Sequence, residues 1–136
     1  MTPASAAMHE RDNVAHELAM SIDRAEPGHA VVSMTVTEEM TNGLDVCHGG
    51  LLFTLADTAM AHAANAGDER SFATTASIEW LLPARTGDRL VATSVVAAQR
   101  GRNTVHDITV TNGDGDTVAL VRGHTLTVGG AVIGDE

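Results

Sequence analysis

The longest apolar stretch of the chain begins at Gly49-Gly50 and continues to about residue 65. Almost every residue after the glycines is small or hydrophobic, so polar side chains do not collect on one face. A helix with apolar residues on most of its surface is buried on most sides. The pattern therefore predicts one central helix over about residues 49–65, which ends before the turn at 67–69.

Alternating apolar and polar residues predict strands on both sides of this helix. In residues 30–37, Val32, Met34 and Val36 alternate with hydroxyl residues. Four further strand segments follow the helix with only turns between them, at 72–82, 90–98, 104–111 and 117–128. We predict that these four form an antiparallel meander. A short helix over about residues 8–20 is predicted before the first strand.

This order of elements predicts a single α+β domain over residues 1–136. Its fold would be a curved antiparallel β-sheet wrapped around a long central helix. One helix covers only one face of such a sheet and leaves its edges open. A second copy of the protein is the simplest cover, so we expect a dimer.

Asp57 is the only acidic residue of the predicted central helix. A buried carboxylate carries a large desolvation cost unless a neighbour, water or a substrate interacts with it. Gly49 and Gly50 expose backbone N–H groups at the helix start, where the dipole is positive. An oxyanion-binding turn and a carboxylate about two turns further along suit hydrolysis of an acyl group. By spacing alone, a structural role for Asp57 fits equally well.

Charge and hydropathy restrict the function classes. The chain has 8 Lys+Arg, all of them arginine, against 18 Asp+Glu, and a formal charge of −10. This balance argues against nonspecific nucleic-acid binding, which needs a basic surface. No run of about 18 apolar residues is present, and the first residues do not resemble a signal peptide. We therefore expect a cytoplasmic protein with no nucleic-acid or membrane partner.

Several short motifs follow one another along the chain. The first three are Met40-Thr41-Asn42-Gly43, Cys47-His48-Gly49-Gly50 and Leu52-Phe53-Thr54-Leu55-Ala56-Asp57-Thr58-Ala59. Later motifs are Ser77-Ile78-Glu79-Trp80-Leu81-Leu82-Pro83 with Gly87-Asp88, then Val118-Ala119-Leu120-Val121-Arg122-Gly123 and the glycine-rich tail at 129–134. Together they resemble the hotdog-fold thioesterases of phenylacetate degradation over roughly residues 8–136.

The resemblance implies hydrolysis of an acyl-CoA by water, without a metal or other cofactor, and phenylacetyl-CoA or a hydroxylated aryl-acetyl-CoA as substrate. It also implies homodimers that assemble into homotetramers, with active sites at the dimer interface. Asp57 would activate water or attack directly, and the Gly49 N–H would polarise the thioester carbonyl. Asn42 would position the water or the thioester, and His48 would shape the loop.

Four further residues are candidates for substrate binding. Gly50 adds a second backbone N–H at the helix start. By resemblance, Ser77 occupies the position of a hydroxyl residue near the catalytic carboxylate. Arginine binds the phosphates of coenzyme A well, and Arg100 and Arg102 flank a predicted turn. Surface arginines on turns are, however, usually only solvated.

Other chemistries find less support in the sequence. Cys47 lies beside His48, but adjacent side chains usually point apart and no third catalytic group follows at a known spacing. The seven histidines show no metal-ligand spacing. The segment 112–116 lacks the closing Glu of a calcium loop, because position 123 is Gly, and is predicted to be a hairpin turn. A hotdog hydratase or dehydratase and a non-catalytic acyl-CoA-binding domain stay open as alternatives.

Overall fold

A computed structural model describes residues 1–133 as one six-stranded antiparallel sheet with a long helix packed on it. The helices are α1 (Pro3–Arg11), α2 (Asn13–Glu17) and α3 (Gly49–Asn65). The strands are β1 (Ser21–Glu26), β2 (His29–Thr35), β3 (Ser71–Trp80), β4 (Arg89–Arg100), β5 (Asn103–Thr111) and β6 (Thr117–Thr127). The predicted fold class, an antiparallel sheet around one central helix, is confirmed. The end of the glycine-rich tail, from residue 134, lies outside the described residues.

The strand order of the sheet is β1-β2-β4-β5-β6-β3. The predicted four-strand meander is therefore wrong, because β3 pairs with β6 at the far edge and β4 pairs with β2. Residues 81–88 include the predicted turn, in which the Asp88 N–H donates a 2.9 Å hydrogen bond to the Arg85 carbonyl, but they do not join β3 and β4 as a hairpin. They run past the start of α3, where the Ala84 carbonyl accepts a 2.7 Å hydrogen bond from the Cys47 N–H, and then enter β4 beside β2.

The N-terminal region also differs from the prediction of one helix over residues 8–20. Thr2 caps α1, Asp12 ends it, and the Asp12 carboxylate caps α2 by accepting a 3.0 Å hydrogen bond from the Ala15 N–H. An unpredicted strand, β1, then forms a hairpin with β2 around Pro27 and Gly28, and Gly28 has a φ of 82°. Most of β1 is exposed and charged, so it lacks the apolar alternation that reveals a half-buried strand.

The core lies between α3 and one face of the sheet. Helix α3 has the predicted range and buries nine of its side chains, among them Leu55 and Met60. Met60 packs directly on Gly123 of β6, where any Cβ would collide with the methionine sulfur. This close approach brings the helix near the sheet. Within the described residues, no helix is long and apolar enough to cross a membrane.

Strand β3 forms one edge of the sheet and is largely exposed. Phe72, Trp80 and Leu81, on β3 and just after it, are 54%, 54% and 57% exposed. A long apolar edge strand with open backbone groups is normally paired or covered in a native protein. The predicted need for a cover therefore applies mainly to this edge.

Candidate active site

The loop before α3 is held by the side chain of Asn42. Its amide oxygen accepts hydrogen bonds from the N–H groups of Leu44 at 2.9 Å and Val46 at 3.4 Å. The Asn42 N–H itself donates to the Val46 carbonyl at 2.8 Å. These bonds form an Asx-type turn that fixes the loop. The oxygen of Asn42 is thus engaged in the loop, and its NH₂ group is the part that can donate to a ligand.

His48 caps α3 through its side chain. Its Nδ1 accepts a 3.2 Å hydrogen bond from the Gly50 N–H, so the neutral ring carries its proton on Nε2 in this arrangement. The predicted role of His48 in shaping the loop agrees with this geometry. The sequence predicts, in contrast, that Gly50 offers its N–H to a substrate. That N–H is used inside the cap, which leaves Gly49 as the better oxyanion donor.

Trp80 packs against Gly49. The indole Nε1 donates a 3.1 Å hydrogen bond to the Gly49 carbonyl, and a Cβ at position 49 would lie 3.0 Å from the same nitrogen. Only glycine leaves the indole its present place. As the first residue of α3, Gly49 has no carbonyl partner within the helix for its own N–H. Trp80 therefore holds the peptide group between Gly49 and Gly50, which follows the Gly49 N–H directly along the chain.

A cavity of about 320 Å³ opens between the loop and the end of β3. Its wall includes Asn42, Cys47, Gly49, Trp80 and Leu81. The structure thus brings two predicted site residues, Asn42 and Gly49, to one cavity with mostly apolar walls. Apolar walls exclude water and strengthen any hydrogen bond to a developing negative charge.

Asp57 lies further along α3 and does not line that cavity. It is eight positions after Gly49, or about 12 Å along the helix axis. Burial raises the pKa of the partly buried Asp57 carboxyl, and the negative charge of Asp12 raises it further. A carboxylate with a raised pKa is a stronger base than an exposed one, provided that it stays ionised. Within one chain, Asp57 and Gly49 are not brought together.

Cys47 is a buried thiol beside the cavity. It is 3% exposed, and burial raises its pKa, so the thiol stays protonated and is a weak nucleophile. Its position agrees with the structural role expected from the sequence. Among residues 1–133, no group of three or more His, Cys, Asp or Glu side chains is arranged to hold a metal ion.

Ser77 is not near Asp57 of its own chain. The neighbouring Ile78 packs against the core, so alternation directs Ser77 to the opposite face of the sheet. There it lies across from Arg122, whose guanidinium binds the Asp107 carboxylate at 2.8 and 3.0 Å. Within one chain the structure thus does not bring Ser77 to Asp57, and its place in a site built from two chains stays a prediction.

Arg100 and Arg102 lie at the turn between β4 and β5. The Arg102 carbonyl accepts a 2.9 Å hydrogen bond from the Thr127 N–H, at the end of the sheet near the C-terminus of α3. Gly49 lies at the opposite end of the helix. The structure therefore does not bring the two arginines to the Asn42 and Gly49 cavity.

The thioesterase superfamily model matches residues 44–119, which include the end of the loop after Asn42, α3 and most of the sheet. The chain belongs to the thioesterase superfamily. It is 43% identical to the acyl-coenzyme A thioesterase PaaI of Escherichia coli, over 95% of this chain and 92% of that protein. It is 32% identical to human acyl-coenzyme A thioesterase 13, over 77% of this chain and 76% of that protein. The sequence-based assignment to the hotdog-fold thioesterases is confirmed.

Solved structures agree with this assignment. The E. coli PaaI protein from the phenylacetic acid degradation operon superimposes with a TM-score of 0.92, over 94% of this chain and 93% of that one. A Streptococcus mutans protein bound to acetyl-CoA, 25% identical, has a TM-score of 0.78 over 82% of this chain and 90% of that one. The thioesterase therefore has the hotdog fold.

Proposed function

We propose that this enzyme hydrolyses acyl-CoA thioesters to a free acid and coenzyme A, with phenylacetyl-CoA or hydroxylated aryl-acetyl-CoA as preferred substrates. The observation that carries the proposal is the cavity with mostly apolar walls, where Gly49 begins helix α3 beside Asn42. Trp80 binds the Gly49 carbonyl at this point. Such an arrangement suits a carbonyl oxygen that becomes negatively charged. The identity to E. coli PaaI supports the substrate class.

The complete site needs two chains in this proposal. Helix α3 and β3 run antiparallel: Gly49 contacts Trp80 at the end of β3, and Asn65 bonds Ser71 at its start. If two copies pair their exposed β3 edges antiparallel, the end of one β3 lies against the start of the other. Gly49 of the partner subunit then approaches the C-terminal half of α3, on the side of Asp57. Such homodimers would assemble further into homotetramers.

In the proposed reaction, the thioester carbonyl oxygen accepts a hydrogen bond from the Gly49 N–H and Asp57 takes a proton from water. The resulting hydroxide attacks the carbonyl carbon, and the negative charge moves to the oxygen. One fixed donor to this oxyanion is commonly worth about 3 kcal/mol. Collapse of the intermediate breaks the carbon–sulfur bond. The thiolate leaves as free coenzyme A after it takes the proton that Asp57 held.

The NH₂ group of Asn42 would hold the water or the thioester in this scheme, because the oxygen of the same amide is engaged in the loop. His48 would act through the cap and not through proton transfer. The raised pKa of Asp57 favours a role as base. Direct attack by the carboxylate would produce the same acid and thiol through an anhydride.

The proposal is tested by thiol release from a panel of phenylacetyl-, hydroxyphenylacetyl-, acetyl-, hexanoyl- and palmitoyl-CoA. We expect aryl-acetyl substrates to give the highest kcat/KM. Asp57→Asn should lower kcat by about 10²-fold to 10⁴-fold, the usual contribution of a general base. Near-normal turnover by the folded variant would remove Asp57 from the mechanism. With an enoyl-CoA or a 3-hydroxyacyl-CoA added to the panel, a change in conjugated enoyl absorbance without thiol release would indicate a hydratase or dehydratase. Binding of the panel without turnover would indicate a non-catalytic domain.

A further inference from the structure

A second cavity, also of about 320 Å³, lies between the C-terminal half of α3 and strands β4, β5 and β6. Its mouth is formed by two exposed turns, the β1–β2 turn at Pro27 and the α3–β3 turn at Gly67 and Glu69. Its inner end is formed by His106 of β5 and Thr125 of β6, which are 1% and 3% exposed. None of the residues that line this cavity belongs to the candidate active site.

His106 has a buried polar atom without a partner. Its Nε2 lies 2.9 Å from the Thr125 hydroxyl oxygen, whereas its Nδ1 has no hydrogen-bond partner among the described residues. Burial, with a contribution from His124, lowers the pKa of this imidazole, so the ring is neutral near pH 7. A buried nitrogen of this kind carries a free-energy cost unless a water or a ligand binds it. Because the ring borders the cavity, a molecule held there can bind this nitrogen.

Three more polar side chains line the cavity and are available for binding. Within residues 1–133, the side chains of Thr104, Gln99 and Glu69 form no hydrogen bond or ion pair. Thr104 is two residues before His106 on β5, so both side chains point to the same face of the sheet. Gln99 and Glu69 are exposed and lie at the mouth. The unsatisfied polar groups therefore extend from the mouth to the inner end.

The charge of the wall selects against anions. None of the described lining residues is an arginine, and Glu69 places a carboxylate at the mouth, which repels phosphate and carboxylate groups. A hydroxyl group, in contrast, both donates and accepts hydrogen bonds. It therefore suits the Nδ1 of His106 in either tautomer of the ring, and it suits Thr104 and Gln99 equally well.

The rest of the wall is apolar and offers surface to a short carbon chain, from Pro27, Val96, Ala63 and Ala64. A water molecule takes up about 30 Å³ of the liquid, so a cavity of this volume has room for about ten non-hydrogen atoms. We propose that the cavity binds a small uncharged polyol, with one hydroxyl group on the Nδ1 of His106 and others on Thr104 and Gln99. The inference does not depend on the proposed acyl-CoA hydrolysis, because the catalytic residues of that reaction lie elsewhere.

Calorimetry with xylitol, a polyol of matching size, tests the site. We expect saturable binding by the wild type and weaker binding of xylonate, the corresponding carboxylate. Thr104→Val keeps the shape of the side chain but removes its hydroxyl, so the affinity for xylitol should fall about threefold to tenfold. Thr109→Val is the matched control, because Thr109 is on the same strand and faces the other side of the sheet. This control should bind xylitol as the wild type does. Glu69→Gln should bring the affinity for xylonate closer to that for xylitol.

NMR of the imidazole nitrogens observes His106 directly. The Nδ1 resonance should shift saturably with xylitol in the wild type and in Thr109→Val. Polyols also stabilise folded proteins in general, because they are excluded from the protein surface, but that effect does not saturate at one nitrogen. No saturable shift, or equal affinity for xylitol in the wild type and Thr104→Val, would overturn the proposal, and the cavity would then hold water only.

Discussion

The sharpest test of the proposed oxyanion donor is Gly49→Ala. The added methyl group would lie 3.0 Å from the indole Nε1 of Trp80 and 3.1 Å from its Cε2. These distances are shorter than ordinary van der Waals contact, so the indole or the helix start must move. Displacement of the indole by even a few tenths of an ångström lengthens and weakens its 3.1 Å hydrogen bond to the Gly49 carbonyl. The variant keeps the backbone N–H of residue 49, but the direction of this N–H changes.

The expected losses in rate and stability differ in size. Loss of one oxyanion donor costs about 3 kcal/mol of transition-state stabilisation, so kcat should fall by up to about 10²-fold. Loss of a hydrogen bond from the half-exposed Trp80 should cost only about 1 kcal/mol of the free energy of unfolding. We would measure kcat by thiol release and stability by urea denaturation. A large loss of rate with a small loss of stability is the expected pattern.

Two further variants test whether the loss of rate comes from the contact between residue 49 and Trp80. Gly113→Ala, in the β5–β6 turn, adds the same methyl group where no atom lies within 4 Å and should leave both quantities unchanged. Trp80→Phe removes the indole atoms that crowd position 49, so the double variant Gly49→Ala/Trp80→Phe should lose less than the sum of the two single losses. Full activity in Gly49→Ala would refute the view that the position of this N–H matters.

Two further predictions concern the loop and the pH dependence of stability. Asn42→Asp keeps the oxygen that accepts two loop N–H groups but loses the NH₂ donor, so kcat should fall about tenfold or more at near-normal stability. Asn42→Ala should also lose about 1–2 kcal/mol of stability. Burial, with a contribution from the nearby His9, lowers the pKa of His62 to about 4. The unfolded chain then binds more protons, so stability should fall, by at most about 3 kcal/mol, as the pH drops from about 6.5 to 4. A His62→Gln variant with the same pH slope in urea denaturation would contradict this assignment.

Helix α3 could be predicted from the sequence because its signal is local. A long, mostly apolar run that begins at Gly49-Gly50 indicates a buried helix, and Asp57 is conspicuous within it. The strand positions after the helix were also close to those observed. Their alternation is a property of each segment alone, so it does not depend on which strand lies next to which.

The order of the strands in the sheet could not be predicted from the sequence in the same way. Residues 81–88 have the composition of a turn, but they connect β3 at one edge to β4 near the middle of the sheet. What fixes this path is contact with the loop before α3, through Cys47 and Ala84, which are far apart in sequence. Strand β1 was missed because an exposed edge strand needs no apolar alternation.

The surroundings of the site residues in one chain could not be predicted from the motifs. Ser77 is on the expected strand, but successive side chains of a strand point to opposite faces of the sheet. The motif does not show which of the two faces Ser77 occupies. The Gly50 N–H is at the expected helix start, but the His48 imidazole binds it. Trp80 belongs to one of the sequence motifs, but the motif does not indicate its contact with the helix start. Its proximity to Gly49 depends on the end of β3 meeting the start of α3, which no spacing along the chain predicts.

Asp57 and Gly49 of one chain are too far apart to act on the same thioester. Both residues belong to the same continuous helix, so no local movement of a loop can bring them to the same carbonyl group. About 12 Å of helix axis lies between them, and a helix does not shorten. If both act on one thioester, the Gly49 that serves a given Asp57 must come from another copy of the chain. The exposed β3 edge offers the surface for this pairing, so catalysis by this mechanism requires assembly, and an isolated chain should be folded but inactive.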